Sequence, residues 1–110
     1  MATVQLPIPE REIAAFCKRW EVTELSLFGS AVRDDFSAES DVDALISFSS
    51  QSEWGLFDHI QMRQELNIIF GRNVDLITHR ALEQSQNELL RAEILESTQV
   101  IYSDIENTHV

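Results

Sequence analysis

Five carboxylates, Asp34, Asp35, Glu39, Asp41 and Asp43, fall within ten residues that contain no Lys or Arg. Such crowding raises the energy of the ionised state unless water, spacing or a cation screens it. For Asp34, Asp35 and Glu39, in a polar stretch, water suffices. Asp41 and Asp43 differ, because residues 41–48 (DVDALISF) alternate: Val42, Ala44, Ile46 and Phe48 point one way, and Asp41, Asp43, Leu45 and Ser47 the other. At a strand rise of ~3.4 Å per residue, the two like charges stand about 7 Å apart on one face. A solvated strand tolerates that, and a bare D-x-D pattern is common by chance. Asp75 shifts the balance. It lies between Val74 and Leu76 on another predicted strand, so the same parity sets it opposite the core. If the strands are neighbours, three carboxylates converge on one patch of sheet. An oxygen-only set without a basic partner suits Mg²⁺, and two such ions can stabilise the attacking and leaving oxygens of an in-line phosphoryl displacement.

A second feature lies upstream. Gly29-Ser30 follows a predicted strand and opens a short helical piece, so backbone N–H groups and the Ser30 hydroxyl can face an anion there. Gly29 also permits close approach of a phosphate to the backbone. Taken alone, a Gly-Ser pair is an ordinary turn.

The elements that must position these groups are legible in outline. After Pro7 and Pro9, the residues Ile13, Phe16, Cys17 and Trp20 recur at helical spacing, predicting a helix that ends near Trp20. Residues 21–28 (EVTELSLF) predict a strand with imperfect alternation of Val22, Leu25 and Leu27. Residues 54–70 predict a long helix with Phe57, Ile60, Leu66, Ile69 and Phe70 on its apolar stripe, stopped by Gly71. Residues 73–78 form a third predicted strand, residues 86–97 a last helix carrying Leu89, Leu90, Ala92 and Ile94, and residues 99–102 a final strand or docking segment. The fold class expected is α/β (α+β): a small mixed sheet flanked by helices, in one domain over residues 1–110.

Composition limits what this domain can do. It has 110 residues, 44% of them hydrophobic and 25% charged, which describes an ordinary globular chain with no room for a second domain. Nineteen acidic against eight basic residues give a net charge of −11. That charge opposes direct binding to nucleic acid or to an anionic membrane. Neither a secretory signal nor a membrane span is expected, and the single cysteine, Cys17, fits a reducing cytoplasm as a small buried hydrophobe.

Gly29-Ser30, ten residues, then Asp41-Val42-Asp43 resembles the G-S-x10-D-x-D signature of the polymerase-β-like nucleotidyltransferase superfamily, and Asp75 is similar to its third carboxylate. The run LFGSAVRDDFSAESDVDALISF resembles the minimal nucleotidyltransferase (MNT) branch, with Arg33 and the Ser40-Asp41 pair in their usual places. The resemblance spans residues 20–102. It implies that Gly29 and Ser30 hold the β- and γ-phosphates of ATP, that Asp41 and Asp43 hold two Mg²⁺ ions, and that Asp75 completes the shell of the catalytic metal. Arg33 is either a phosphate contact or an ion-pair partner of Asp34 or Asp35. Ser40 is either a phosphate or metal-water contact or a cap at the start of the strand.

The short MNT proteins resemble antitoxins paired with a HEPN-domain ribonuclease toxin. The resemblance implies transfer of AMP from ATP onto a tyrosine of that toxin, in a hetero-oligomer with it. The acidic charge suits steering onto a basic partner, and residues 81–110 hold six acidic side chains against Arg91 alone. Two alternatives stay open: a binding antitoxin that acts by occlusion, and a nucleotidyltransferase acting on a small molecule such as an antibiotic. The remaining candidates read as structural. His59 and His79 lack partners at metal-ligand spacing. Arg72 and Arg80 bracket the Asp75 strand and are either triphosphate contacts or, by default, solvated, and Trp54, Phe57 and Phe70 are read as core.

Overall fold

The computed structural model describes residues 4, 6–32, 36–37, 40–49 and 53–104. Helix α1 (Glu10–Arg19) turns Ile13, Phe16 and Cys17 inward. Its acidic first turn and basic last turn oppose the helix dipole favourably. Strand β1 (Val22–Phe28) follows, then a 3-10 turn (Gly29–Val32), strand β2 (Val42–Phe48), helix α2 (Leu56–Phe70), strand β3 (Val74–Thr78), helices α3 (His79–Glu83) and α4 (Glu88–Ser97), and strand β4 (Gln99–Ser103). The five-residue α3 was not expected, because HRALE is too short to display a period. Thr78 caps it, its hydroxyl accepting the Ala81 N–H at 3.0 Å.

The four strands form one mixed sheet in the order β3-β2-β1-β4. The β1–β2 and β1–β4 pairs are antiparallel and β2–β3 is parallel. A register shift between Val22 and Glu24 explains the imperfect alternation of β1. One extra residue reverses the parity there, so Val22, Leu25 and Leu27 all reach the main core. That core packs one sheet face against α1 and α2, and includes Val42, Ala44, Ile46, Met62, Leu66 and Val74. On the other face a smaller cluster of Leu45, Leu82 and Ile94, joined by Phe28 and Ile77, seats α3 and α4.

Helix α2 departs from the expected stripe. Met62 and Leu66 are buried, whereas Phe57 is 85% exposed and is not a core residue; Ile60 is also exposed. Phe57 precedes Leu66 by about two and a half helical turns, which puts it on the far side of the helix. Trp54 and Phe70 do pack against the core. Trp54 meets Trp20 edge-to-face at 5.0 Å between ring centroids, and its Nε1 donates to the Trp20 carbonyl at 2.9 Å.

Next to its apolar row, α2 carries His59, Arg63 and Asn67 at four-residue intervals, and these satisfy the outer edge of β3. Asn67 Oδ1 accepts the Val74 N–H at 2.7 Å, Arg63 Nε donates to the Val74 carbonyl at 3.0 Å, and His59 Nε2 lies 3.2 Å from the Leu76 carbonyl. Edge strands left bare template unwanted pairing; here a helix closes the edge. Among the described residues no helix is long and apolar enough to cross a membrane.

Candidate active site

Parallel pairing of β2 with β3 sets Asp43 and Asp75 directly opposite each other in register. The pairing begins at Val42, whose N–H donates to the Asn73 carbonyl at 2.9 Å. Asp75 is exposed and Asp43 half-buried, on the face opposite Val42, Ala44 and Val74. Asp41, also exposed, lies just before β2 and two residues from Asp43. The expected parity is seen for Asp43 and Asp75, which lie within paired strands, whereas Asp41 precedes β2 and has no register partner.

On its other side Asp43 is the register partner of Phe28, the last residue of β1. The chain then turns sharply at Gly29, with φ of +68°, and a Cβ added there would collide with Asp43 Oδ2. The left-handed backbone favours glycine, and any side chain here would have to push the Asp43 carboxylate aside. Buried Ala31 and Val32 anchor the 3-10 turn from below. Ser30 projects toward β2, its hydroxyl donating to the Asp41 carbonyl over 3.4 Å.

Asp43 and Asp75 form the polar floor of a groove of about 370 Å³, whose apolar walls are Phe28, Leu76, Ile77 and Ile94. The α4 wall comes from Ile94, which the smaller core cluster holds in place. An all-carboxylate donor set matches a hard divalent cation. Among the described residues, no three His, Cys, Asp or Glu side chains are drawn together as a ready-made metal cage. The arrangement is an in-register pair plus Asp41 just before the strand, an oxygen-only set whose chemistry fits a hard divalent cation.

Ser40 has internal work. Its hydroxyl accepts the Ser37 N–H at 3.0 Å and lies 3.2 Å from the Ser37 hydroxyl. Arg33, together with Asp34, Asp35 and Glu39, lies outside the described residues. His79 pairs with Glu83 at 2.9 Å, one helical turn away. Cys17 is fully buried in the main core, and desolvation raises its thiol pKa from 9.0 to about 12.

Arg72 is the residue whose place the sequence did not disclose. Instead of standing in solvent, it stacks over the Phe36 ring at 4.4 Å and donates from Nη1 to the carbonyls of Ser37 and Ser40, at 2.8 and 3.1 Å. Its position three residues before Asp75 was visible in sequence; the loop it grips was not.

The chain matches the family described as the nucleotidyltransferase domain over residues 10–101. It is similar to the protein adenylyltransferase MntA of Thermococcus cleftensis, with 30% identity over 78 residues, 71% of this chain and 77% of the relative. Across the curated relatives it matches, the aligned stretch spans from 64% to 77% of their length. Among solved structures it resembles a chain of a toxin–antitoxin complex with AMP-PNP, with a TM-score of 0.66 and 16% identity, covering 90% of this chain and 77% of that one. It also resembles a chain of the complex between a tri-AMPylated Shewanella oneidensis HEPN toxin and its MNT antitoxin, with a TM-score of 0.58 and 16% identity, covering 89% and 72%. At these identities the two structural likenesses establish the fold.

Proposed function

The chain belongs to the nucleotidyltransferase domain family, and from that premise we propose that it is an Mg²⁺-dependent adenylyltransferase that moves AMP from ATP onto a tyrosine hydroxyl of a HEPN ribonuclease toxin in the cytoplasm, silencing it. The observation that carries this reading is the register pairing of Asp43 with Asp75, with Gly29 closed against Asp43. The adenylyltransferase and toxin–antitoxin relatives support the choice of nucleotide and of partner.

In this reaction the acceptor oxygen attacks the α-phosphorus, the bond from that phosphorus to the α,β-bridging oxygen breaks, and pyrophosphate leaves. Asp41, Asp43 and Asp75 would hold Mg²⁺, which neutralises charge on the phosphates and on the attacking oxygen. Gly29 and Ser30, at the head of the turn, would seat the β- and γ-phosphates; the site is small because phosphoryl transfer depends mainly on positioning and electrostatics. Asp75, which borders the groove, would take up the proton that the acceptor hydroxyl loses. Phe28, Ile77 and Ile94 offer an apolar wall suited to an aromatic acceptor side chain.

The test is incubation with α-labelled ATP, Mg²⁺ and the cognate toxin. Label is expected on toxin tyrosine, lost with Asp41→Asn or Asp43→Asn while the complex still forms. Neutralisation that survives both substitutions favours occlusion, and label on a small acceptor instead favours the antibiotic-type alternative.

A further inference from the structure

We propose that Arg72 is a positioning residue for Asp41, holding the loop before β2 so that this carboxylate is presented toward a divalent cation. The inference rests on the adenylyltransferase reading for the purpose of that carboxylate, but the mechanical claim stands on its own geometry. Asp41 precedes the first residue of β2, so its backbone lies outside the sheet's own ladder. Three contacts flank Asp41, the first of them the opening rung of the β2–β3 ladder. The next residue, Val42, donates to the Asn73 carbonyl at 2.9 Å. Ser30 Oγ reaches the Asp41 carbonyl itself at 3.4 Å. On the preceding side, Arg72 Nη1 bridges the carbonyls of Ser37 and Ser40, while its guanidinium carbon sits 4.4 Å from the Phe36 ring centroid, and Phe36 packs against the main core.

Two of the three contacts come from the adjacent residues Arg72 and Asn73, immediately before β3. The segment that delivers Asp75 therefore also clamps the loop that delivers Asp41. One nitrogen serves both carbonyls while the delocalised guanidinium sits over a ring, and that second contact suits Arg better than Lys. Placing one carboxylate relative to another across a loop is the kind of support on which metal affinity depends; loss of such outer contacts costs about 10- to 100-fold in affinity.

The sign of the effect separates positioning from bulk charge. Removing a cation near a cluster of carboxylates should tighten divalent-ion binding by Coulomb's law. Loss of positioning should weaken it. A direct contact with the triphosphate would instead show as weaker binding of metal-free ATP in chelator, with Mn²⁺ affinity unchanged or raised.

The full chain is prepared as wild type, Arg72→Met, Asp41→Asn and the double variant. Mn²⁺ binding is read from the electron paramagnetic resonance signal of the free ion, and hydrogen exchange of the Ser40 and Val42 amides is read by NMR in metal-free buffer. Arg72→Met is expected to speed exchange of both amides and to weaken Mn²⁺ binding about tenfold. In the Asp41→Asn background the same substitution should leave Mn²⁺ binding unchanged, since the carboxylate it positions is gone. If R72M does not fold, Arg72→Lys, which keeps the charge but not the planar fork, is compared in the same way and should shift both readouts in the same direction. Unchanged amide exchange, or Mn²⁺ affinity equal to or above wild type, overturns the proposal. Mn²⁺ binding that is indifferent to Asp41→Asn counts against the catalytic reading and removes Asp41 as the beneficiary, even if exchange shows that Arg72 holds the loop.

Discussion

Asp43 and Asp75 are register partners on adjacent parallel strands, so two carboxylates stand side by side on one sheet face. Like charges so placed oppose each other in the absence of a cation. Replacing Asp75 by Asn should therefore leave the melting temperature in chelator unchanged or slightly raised. The same change should lower adenylyl transfer by about 100-fold or more, the scale at which electrostatic stabilisers of a transition state act. Added Mg²⁺ should stabilise the wild type in thermal melts and leave Asp43→Asn unmoved.

Gly29 and Gly71 share a φ of +68° but have different surroundings, for a Cβ at Gly71 meets nothing within 4 Å. Gly71→Ala should cost about 1 kcal/mol, the backbone penalty alone, and leave activity intact. Gly29→Ala bears the same penalty and also displaces the Asp43 carboxylate, so it should abolish transfer. Denaturant titrations and transfer assays on the two variants check the contrast.

Asn67 supplies the acceptor for the Val74 N–H at 2.7 Å. Asn67→Ala leaves that edge amide dependent on water and should cost about 1–3 kcal/mol. Faster hydrogen exchange at Val74 than at Ile46, in the middle of the sheet, is the expected signature of local loosening beside Asp75.

Cys17 is 0% exposed, and its thiol pKa is raised from 9.0 to about 12 by burial. Folded protein at pH 8 should resist alkylation and react only as it unfolds. Because the folded-state pKa lies above the unfolded one, the contribution of this group is complete below pH 9.0 and declines as pH rises toward 12. A Cys17→Ala variant should show a shallower loss of stability across that interval.

The net charge of −11 predicts that association with a basic partner is steered electrostatically. Raising the salt concentration from 50 to 500 mM should slow the association rate about tenfold or more, with a much smaller change in dissociation. Stopped-flow mixing with the proposed toxin partner measures both.

Much of this architecture follows from short-range rules that a single chain displays. Alternation in DVDALISF put Asp43 opposite Val42 and Ala44, and the Gly29-Ser30 and Asp41-x-Asp43 spacing marked the candidate residues before any strand was paired. Residue parity is a local property, and it survived folding. Helical phase was less secure in α2, where apolar residues occur all round the helix. Phe57 was assigned inward, but only contact with the sheet could select the Met62 and Leu66 face.

Other features depended on residues far apart in sequence. That Asp43 faces Asp75 required β2 and β3 to be parallel neighbours in register. That Gly29 is closed by Asp43 required the end of β1 to lie beside it. Arg72 could be seen near Asp75 in the sequence, yet its grip on Ser37 and Ser40 crosses more than thirty residues and left no local signal. The sequence by itself determined which side chains could perform the chemistry and which way each strand would turn them. Tertiary structure alone decided which of them meet, because register and loop anchorage are set by packing between segments.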